Sequence, residues 1–250
     1  MGNDGNFTFD GIVTSSDKFT KMGSGKMTVK GLWDLTGTVG ISAGELCINN
    51  TNTKTPALGT GALTVSKGGT LSGKGVLGNS SVTVASGGVI RSGINDTNAG
   101  GNLIFSGKDL TVNGTLQTYV SGKSLFSRFT DIKTLKLNGT LVVRGRDVLA
   151  LPEGTEIQII DAQKITLGTN LKFDLCAPNV DDPSLIFDTS RIDEGLLVVA
   201  KDPNYDPTAI QRIDMAAAKG DIYTLDGKRI EGRPLHRGIY IVNGVKTILK

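Results

Sequence analysis

LTVSKGGTLSGKGVLGNSSVTVASGGVI, residues Leu63–Ile90, spells one pair of words twice. Leu63-Thr64-Val65 leads to Gly69-Thr70-Leu71, and Val82-Thr83-Val84 leads to Gly88-Val89-Ile90. In an extended chain, Leu-Thr-Val turns its first and third side chains to one face and the threonine to the other. The glycine pairs at 68–69 and 87–88 supply the positive-φ residues that a chain needs to corner between strands. The words recur outward from this stretch, upstream as Met27-Thr28-Val29 and downstream as Leu110-Thr111-Val112 with Gly114-Thr115-Leu116. Leu135-Lys136-Leu137 with Gly139-Thr140-Leu141 comes next, and a third glycine pair stands at 100–101. From positions 27 to 63, 82, 110 and 135 the triplets step by 36, 19, 28 and 25 residues. A strand-built period of roughly 20–30 residues is the signature of a solenoid.

A β-sandwich also alternates strands and turns, but it gives no reason for the same word to return. In a parallel β-helix each coil lies about 4.8 Å from the last, so equivalent positions must accept the same kind of residue. Helices are nearly excluded over the first two hundred residues because Gly or β-branched residues interrupt every window of 3.6 periodicity. The expected fold is therefore all-β: a right-handed, single-stranded parallel β-helix over residues 1–200, with its hand set by the general preference of parallel crossovers. Some ~8–10 coils would make a rod about 40–50 Å long. Leu63, Val65, Val82, Val84, Leu110 and Val112 are expected inside, with Thr64, Thr83 and Thr111 outside.

The repeat words are clearest over 7–145 and coarsen after 146. Glu156–Ile160, Leu171–Leu175, Leu185–Phe187 and Leu196–Val199 read as four more strands, the closing rungs and cap of the solenoid. Residues 201–219, with two Pro and an Ala run, read as a linker. Residues 220–250 read as a small β module of two hairpins, turning at Asp226-Gly227 and Asn243-Gly244.

Composition narrows the function. The 250 residues include 34 Gly, about 14% and roughly twice the usual share. The balance of 27 basic against 24 acidic residues leaves +3, too little to argue for a nucleic-acid or membrane surface. Only 5% of residues are aromatic, which leaves little to stack on bases. No run approaches ~18 consecutive apolar residues, so no transmembrane segment is expected. The opening MGNDGNFTFD lacks the charged and apolar regions of a signal peptide, so a secreted form would carry its signal upstream. The single histidine, His236, leaves residues 1–235 without the makings of a Ser-His-Asp triad or a His-based metal centre. Cys47 and Cys176 stand 129 residues apart and read as small buried hydrophobes, and Trp33 as a packed residue at a wide corner.

No catalytic, cofactor-binding or metal-binding residue is expected. Polysaccharide lyases and glycoside hydrolases are built on parallel β-helices, but they need clustered carboxylates. Between Glu45 and Asp96 there is neither Asp nor Glu. The one charged concentration is Asp131, Asp147, Glu153 and Glu156 beside Arg144 and Arg146, which reads as a solvated coil corner. The Gly-Gly pairs lead to Thr-Leu, Val-Ile and Asn-Leu rather than to the acids of a calcium roll. Ser66-Lys67 and Gly73-Lys74 read as solvated corners, without the spelling of a phosphate-binding loop. What remains is a structural or adhesin-like protein, or a stalk, presenting a long polar side to a glycan or protein partner. A polysaccharide lyase or glycoside hydrolase is the alternative.

Two stretches also resemble known families. Phe19-Thr20-Lys21-Met22-Gly23-Ser24-Gly25-Lys26-Met27-Thr28-Val29, then Leu35-Thr36-Gly37-Thr38-Val39 and Ser42-Ala43-Gly44-Glu45-Leu46, closely resemble the autotransporter-associated β-strand repeat of Gram-negative passenger domains. The resemblance covers about a quarter of the chain and implies an exported, right-handed β-helix at a cell surface, with no catalytic residues; host or matrix is the expected contact of the polar side. IYTLDGKRI at 222–230 and RGIYIVNG at 237–244 resemble the C-terminal segments of exported Bacteroidetes proteins, including short relatives of type IX sorting domains. That resemblance implies a role for residues 220–250 with the export machinery or in surface retention. Read from the residues alone, the segment sorts, caps the solenoid or has no present role.

Overall fold

The computed structural model describes residues 4–50, 56–93, 100–145, 149–205, 211–213, 222–230, 238–242 and 245–249. Two parallel sheets dominate it. The first stacks Phe7–Phe9, Lys26–Val29, Gly44–Ile48, Gly69–Gly73, Val89–Ser92, Thr115–Val120, Thr140–Gly145 and Lys172–Leu175, in that order. The second stacks Phe19–Lys21, Val39–Ile41, Leu63–Val65, Ser81–Val84, Gly101–Val112, Ser127–Leu137 and Ile160–Leu167, with Gly75–Val76 beside Gly101–Val112. The chain alternates between the sheets and each visit lands one strand further along, which is the winding of a parallel β-helix. All-β architecture and parallel stacking are as the sequence predicts.

Register shows what each position must accept. One inward column of the first sheet runs Phe7, Met27, Leu46, Leu71, Ile90, Leu116, Leu141, Phe173. By those residue numbers, successive rungs take 20, 19, 25, 19, 26, 25 and 32 residues. An inward column of the second runs Phe19, Val39, Leu63, Val82, Leu110, Leu135, Ile165. Leu63, Val65, Val82, Val84, Leu110 and Val112 are all buried, while Thr64 is exposed and Thr83 and Thr111 are half-buried on the outer face. Each fully buried Leu or Val contributes about 1.5–3 kcal/mol of transfer free energy. Met27-Thr28-Val29 departs from the expectation, because it stacks with the Gly-Thr-Leu words rather than the Leu-Thr-Val words. Both sheets bury every second residue, so alternation alone does not tell one from the other.

The corners divide their glycines between two tasks. Gly68 and Gly87 take φ of 84° and 78°, the left-handed turn expected of the first glycine in each pair. Further along, Gly88, Gly114 and Gly139 stack on one another. A Cβ at Gly139 would lie 1.9 Å from the Gly114 carbonyl oxygen, and one at Gly114 would lie 2.2 Å from that of Gly88. Rungs about 4.8 Å apart leave no room there for a side chain.

At the first rungs, Val13–Ser15 and Trp33–Leu35 pair as a short third sheet. Trp33 sits in this strand, not at a corner, and its buried ring meets Phe9 and Phe19 edge-on at 5.4 and 5.1 Å. Lys21 occupies an inward position in line with Ile41 and Val65. Its ammonium donates to the carbonyl oxygens of Met22 (2.9 Å), Gly23 (2.8 Å) and Ala43 (3.3 Å). Burial pushes its pKa down, and Asp4 opposes that shift.

The expectation of closing rungs through residue 200 needs correction. Parallel stacking ends with Ile160–Leu167 and Lys172–Leu175. Glu156–Gln158, Leu196–Lys201 and Leu185–Asp188 form an antiparallel sheet instead. The reversal is made by the short 3-10 turn Ile192–Glu194 and by Gly195 at φ 80°. Leu185, Phe187, Leu197 and Val199 from this sheet, and Ile192 from the turn, join the solenoid's own core.

The chain divides into two compact units, Met1–Asp202 and Pro203–Lys250. The second is a five-stranded sheet ordered Gln211–Ile213, Val245–Leu249, Gly238–Val242, Ile222–Tyr223 and Arg229–Ile230. Both expected hairpins are there, and they pair with each other through Ile222 and Val242. Gln211–Ile213 runs parallel to Val245–Leu249, so the stretch read as a linker contributes a strand. Asn243-Gly244 and His236 lie outside the described residues.

Candidate functional site

The outer face of the second sheet is a ladder of hydroxyls. Register aligns Thr20, Gly40, Thr64, Thr83, Thr111, Lys136 and Thr166 in one column, with about 4.8 Å between neighbours. Gly40 interrupts the ladder and opens a hollow of about 390 Å³ lined by Thr20, Thr38, Ser42, Thr64, Ser66 and Lys18. A Cβ at Gly40 would meet nothing closer than Thr20 Oγ1 at 3.5 Å, so backbone packing does not require glycine there. A face of this kind donates and accepts hydrogen bonds at a fixed pitch.

The outer face of the first sheet holds a charge cluster that the sequence reading does not single out. Lys26 Nζ lies 2.7 Å from Glu45 Oε1, and Arg91 reaches past Ser72 to place a guanidinium nitrogen 2.9 Å from Glu45 Oε2. The Ser72 hydroxyl donates to the same carboxylate. Burial pushes the Glu45 carboxyl up, but the hydrogen bonds from Lys26 and Ser72 and the charges of Arg91 and Lys26 outweigh it and hold the group below the usual range. Cys47 is buried beside this cluster and Cys176 half-buried at the far end of the same sheet; both thiols are free, and burial raises both. A signal is present in the sequence, because Glu45 is the last acid before an acid-free run that carries Lys54, Lys67, Lys74 and Arg91.

The carboxylates singled out from sequence go separate ways. Asp131 is exposed on the Ser127–Leu137 strand, at a positive φ of 56° beside a register shift. Arg144 instead grips Asp174 with two hydrogen bonds, of 2.8 and 2.5 Å. That pairing lowers the Asp174 carboxyl and raises the guanidinium. Glu156 pairs with Arg191, which also holds Glu194. Glu153 lies 3.8 Å from Lys201, with both side chains exposed. Arg146 and Asp147 lie outside the described residues.

A cleft of about 510 Å³ opens at the end of the parallel stack, between Lys172–Leu175 and Leu185–Asp188. Phe173, Leu175, Ala177, Pro183, Leu185 and Ile186 are among its lining residues. Phe173 ends an inward column whose members from Met27 to Leu141 are wholly buried, yet it is itself 42% exposed. Among the described residues no group of His, Cys, Asp or Glu is placed to hold a metal, and no helix is long and apolar enough to cross a membrane. In comparisons with known proteins, no family model matches the chain and no curated protein matches it.

Proposed function

We propose that this chain is a non-catalytic structural or adhesin-like protein of the cell surface or extracellular space, whose β-helix presents a lateral polar face to a host or matrix glycan or protein. The observation that carries the reading is the in-register column Thr20, Thr64, Thr83, Thr111 and Thr166. Weak contacts repeated at a fixed pitch add through effective concentration without a deep pocket. The separate pairing of Arg144, Glu153 and Glu156 speaks against a shared acid–base centre. The resemblance to autotransporter-associated repeats supports surface export, and the C-terminal segment is proposed to assist it.

The test is adhesion of beads coated with the protein to immobilised matrix proteins and glycans. Binding is expected to be multivalent and to fall at least tenfold when Thr64 and Thr83 are both replaced by Asp. Retained adhesion in that variant would remove the face from consideration. Incubation with a polysaccharide panel is expected to release no new chain ends. Release abolished by Asp131→Asn would favour the lyase or hydrolase reading instead.

A further inference from the structure

We propose that the cleft between Lys172–Leu175 and Leu185–Asp188 receives an extended peptide strand from another protein, with apolar side chains alternating with basic ones. Among the described residues each of these two strands is the last of its sheet, so one edge of each carries backbone N–H and C=O groups to which no described strand pairs. A strand laid along such an edge takes its affinity from main-chain hydrogen bonds and its specificity from pockets for alternate side chains. The floor suits apolar side chains. Phe173 and Ile186 are 42% and 36% exposed, Leu175 is half-buried beside them and Ala177 is exposed. At about 510 Å³ the cleft is within the size range of ordinary ligand sites.

Charge selects the other half of the peptide. From Asp174 to Ser190 the chain carries four Asp and neither Lys nor Arg. Arg144 neutralises Asp174. Asp182 and Asp188 accept hydrogen bonds from the hydroxyls and backbone N–H groups of Ser184 and Ser190, and those bonds hold both carboxyls ionised. Among the described residues no cation lies within ion-pair distance of Asp181, Asp182 or Asp188, and Lys201 acts on Asp182 only from beyond that distance. An apolar floor whose lining segment also carries Asp181, Asp182 and Asp188, in no ion pair among the described residues, favours a strand with alternating valine-like and lysine-like residues, and repels its acidic counterpart.

The full chain is titrated against fluorescein-labelled seven-residue peptides: Lys–Val alternating, Glu–Val alternating, and Lys–Val with every second amide N-methylated. Saturable anisotropy is expected for Lys–Val, binding at least tenfold weaker for Glu–Val, and none for the N-methylated peptide. Ile186→Lys and Phe173→Lys are each expected to weaken Lys–Val binding at least tenfold, whereas Ser86→Lys, at an exposed corner, leaves it unchanged. Should either cleft variant melt early, the Asp181→Asn/Asp188→Asn double variant replaces it, with weaker binding and a flatter salt dependence expected. Equal binding of the N-methylated peptide would reduce the effect to apolar adsorption and overturn the proposal. So would binding that survives the cleft substitutions, or the absence of binding by every peptide.

Discussion

Val84 and Thr83 are neighbours with opposite obligations. Val84 is wholly buried between Val65 and Val112 in an inward column, and Thr83 stands on the outer hydroxyl ladder. Val84→Asp places an unpaired carboxylate in a dry core and is expected to cost about 4 kcal/mol or more. Thr83→Asp is expected to stay within about 0.5 kcal/mol, and thermal melts of the two variants check the inward assignment directly. Glu45 is a second single-residue lever. Its carboxyl is held below the usual range, so the stability it contributes is present above the unfolded-state pKa and is lost as pH falls through the depressed folded-state value. Glu45→Gln should therefore destabilise by about 2–3 kcal/mol at neutral pH, leaving Lys26 and Arg91 around an uncharged amide. The gap between variant and parent should close below about pH 4, as melting temperatures measured from acid to neutral pH will read out. A gap that persists unchanged at low pH would mean that packing, not charge, underlies the loss.

At the scale of the element, the rungs are legible in the sequence and the faces are not. Leu63-Thr64-Val65 and Val82-Thr83-Val84 sit one above the other residue for residue, because a stacked coil repeats its demands. Met27-Thr28-Val29 has the same alternation and lies in the other sheet, since a period of two carries no information about which wall a strand joins. The strand Ile160–Leu167 is hard to read because Asp161, Gln163 and Lys164 dilute its apolar pattern, and near the end of the stack fewer of its positions need burial. The charge cluster is hidden for a related reason: Lys26, Glu45 and Arg91 are far apart in sequence and meet only through register. Corners give the element-scale test. Gly139 has no room for a Cβ, whereas Gly122 has nothing within 4 Å of one and no positive φ. Gly139→Ala is expected to cost about 1–3 kcal/mol by forcing two rungs apart, and Gly122→Ala to be neutral or slightly stabilising. Denaturant midpoints measured side by side distinguish them. Equal midpoints would show that the corner relaxes freely.

For the molecule as a whole, the question is where cooperative folding stops. A boundary near residue 200 is legible because Pro203 and Pro207 follow the apolar run Leu196–Ala200, and the two compact units divide between Asp202 and Pro203. The stretch beyond that boundary holds more structure than a linker, since the strand Gln211–Ile213 belongs to the second unit's sheet and pairs with residues near the far end of the chain. A parallel partner that distant leaves no local turn signal to read. Each unit has its own buried cluster. The first gathers residues from Met27 to Val199, and the second is built on Ile222 and Val242 with Ile230 and Tyr240 against them. Among the described residues the second core is small, and a sheet that buries little apolar area is marginal by itself. The first closes on its own antiparallel sheet, where Asp202 N–H still donates to the Ser184 carbonyl at 2.7 Å. A chain ending at Asp202 keeps every strand pairing of that sheet and is expected to melt within about 2 °C of the full-length protein, since a loss of about 1 kcal/mol would shift a unit of this size by about 2–4 °C. The full chain should show an additional, weaker transition at lower temperature from the 203–250 unit. A single shared transition, with aggregation of the shortened chain, would show instead that the two units fold as one.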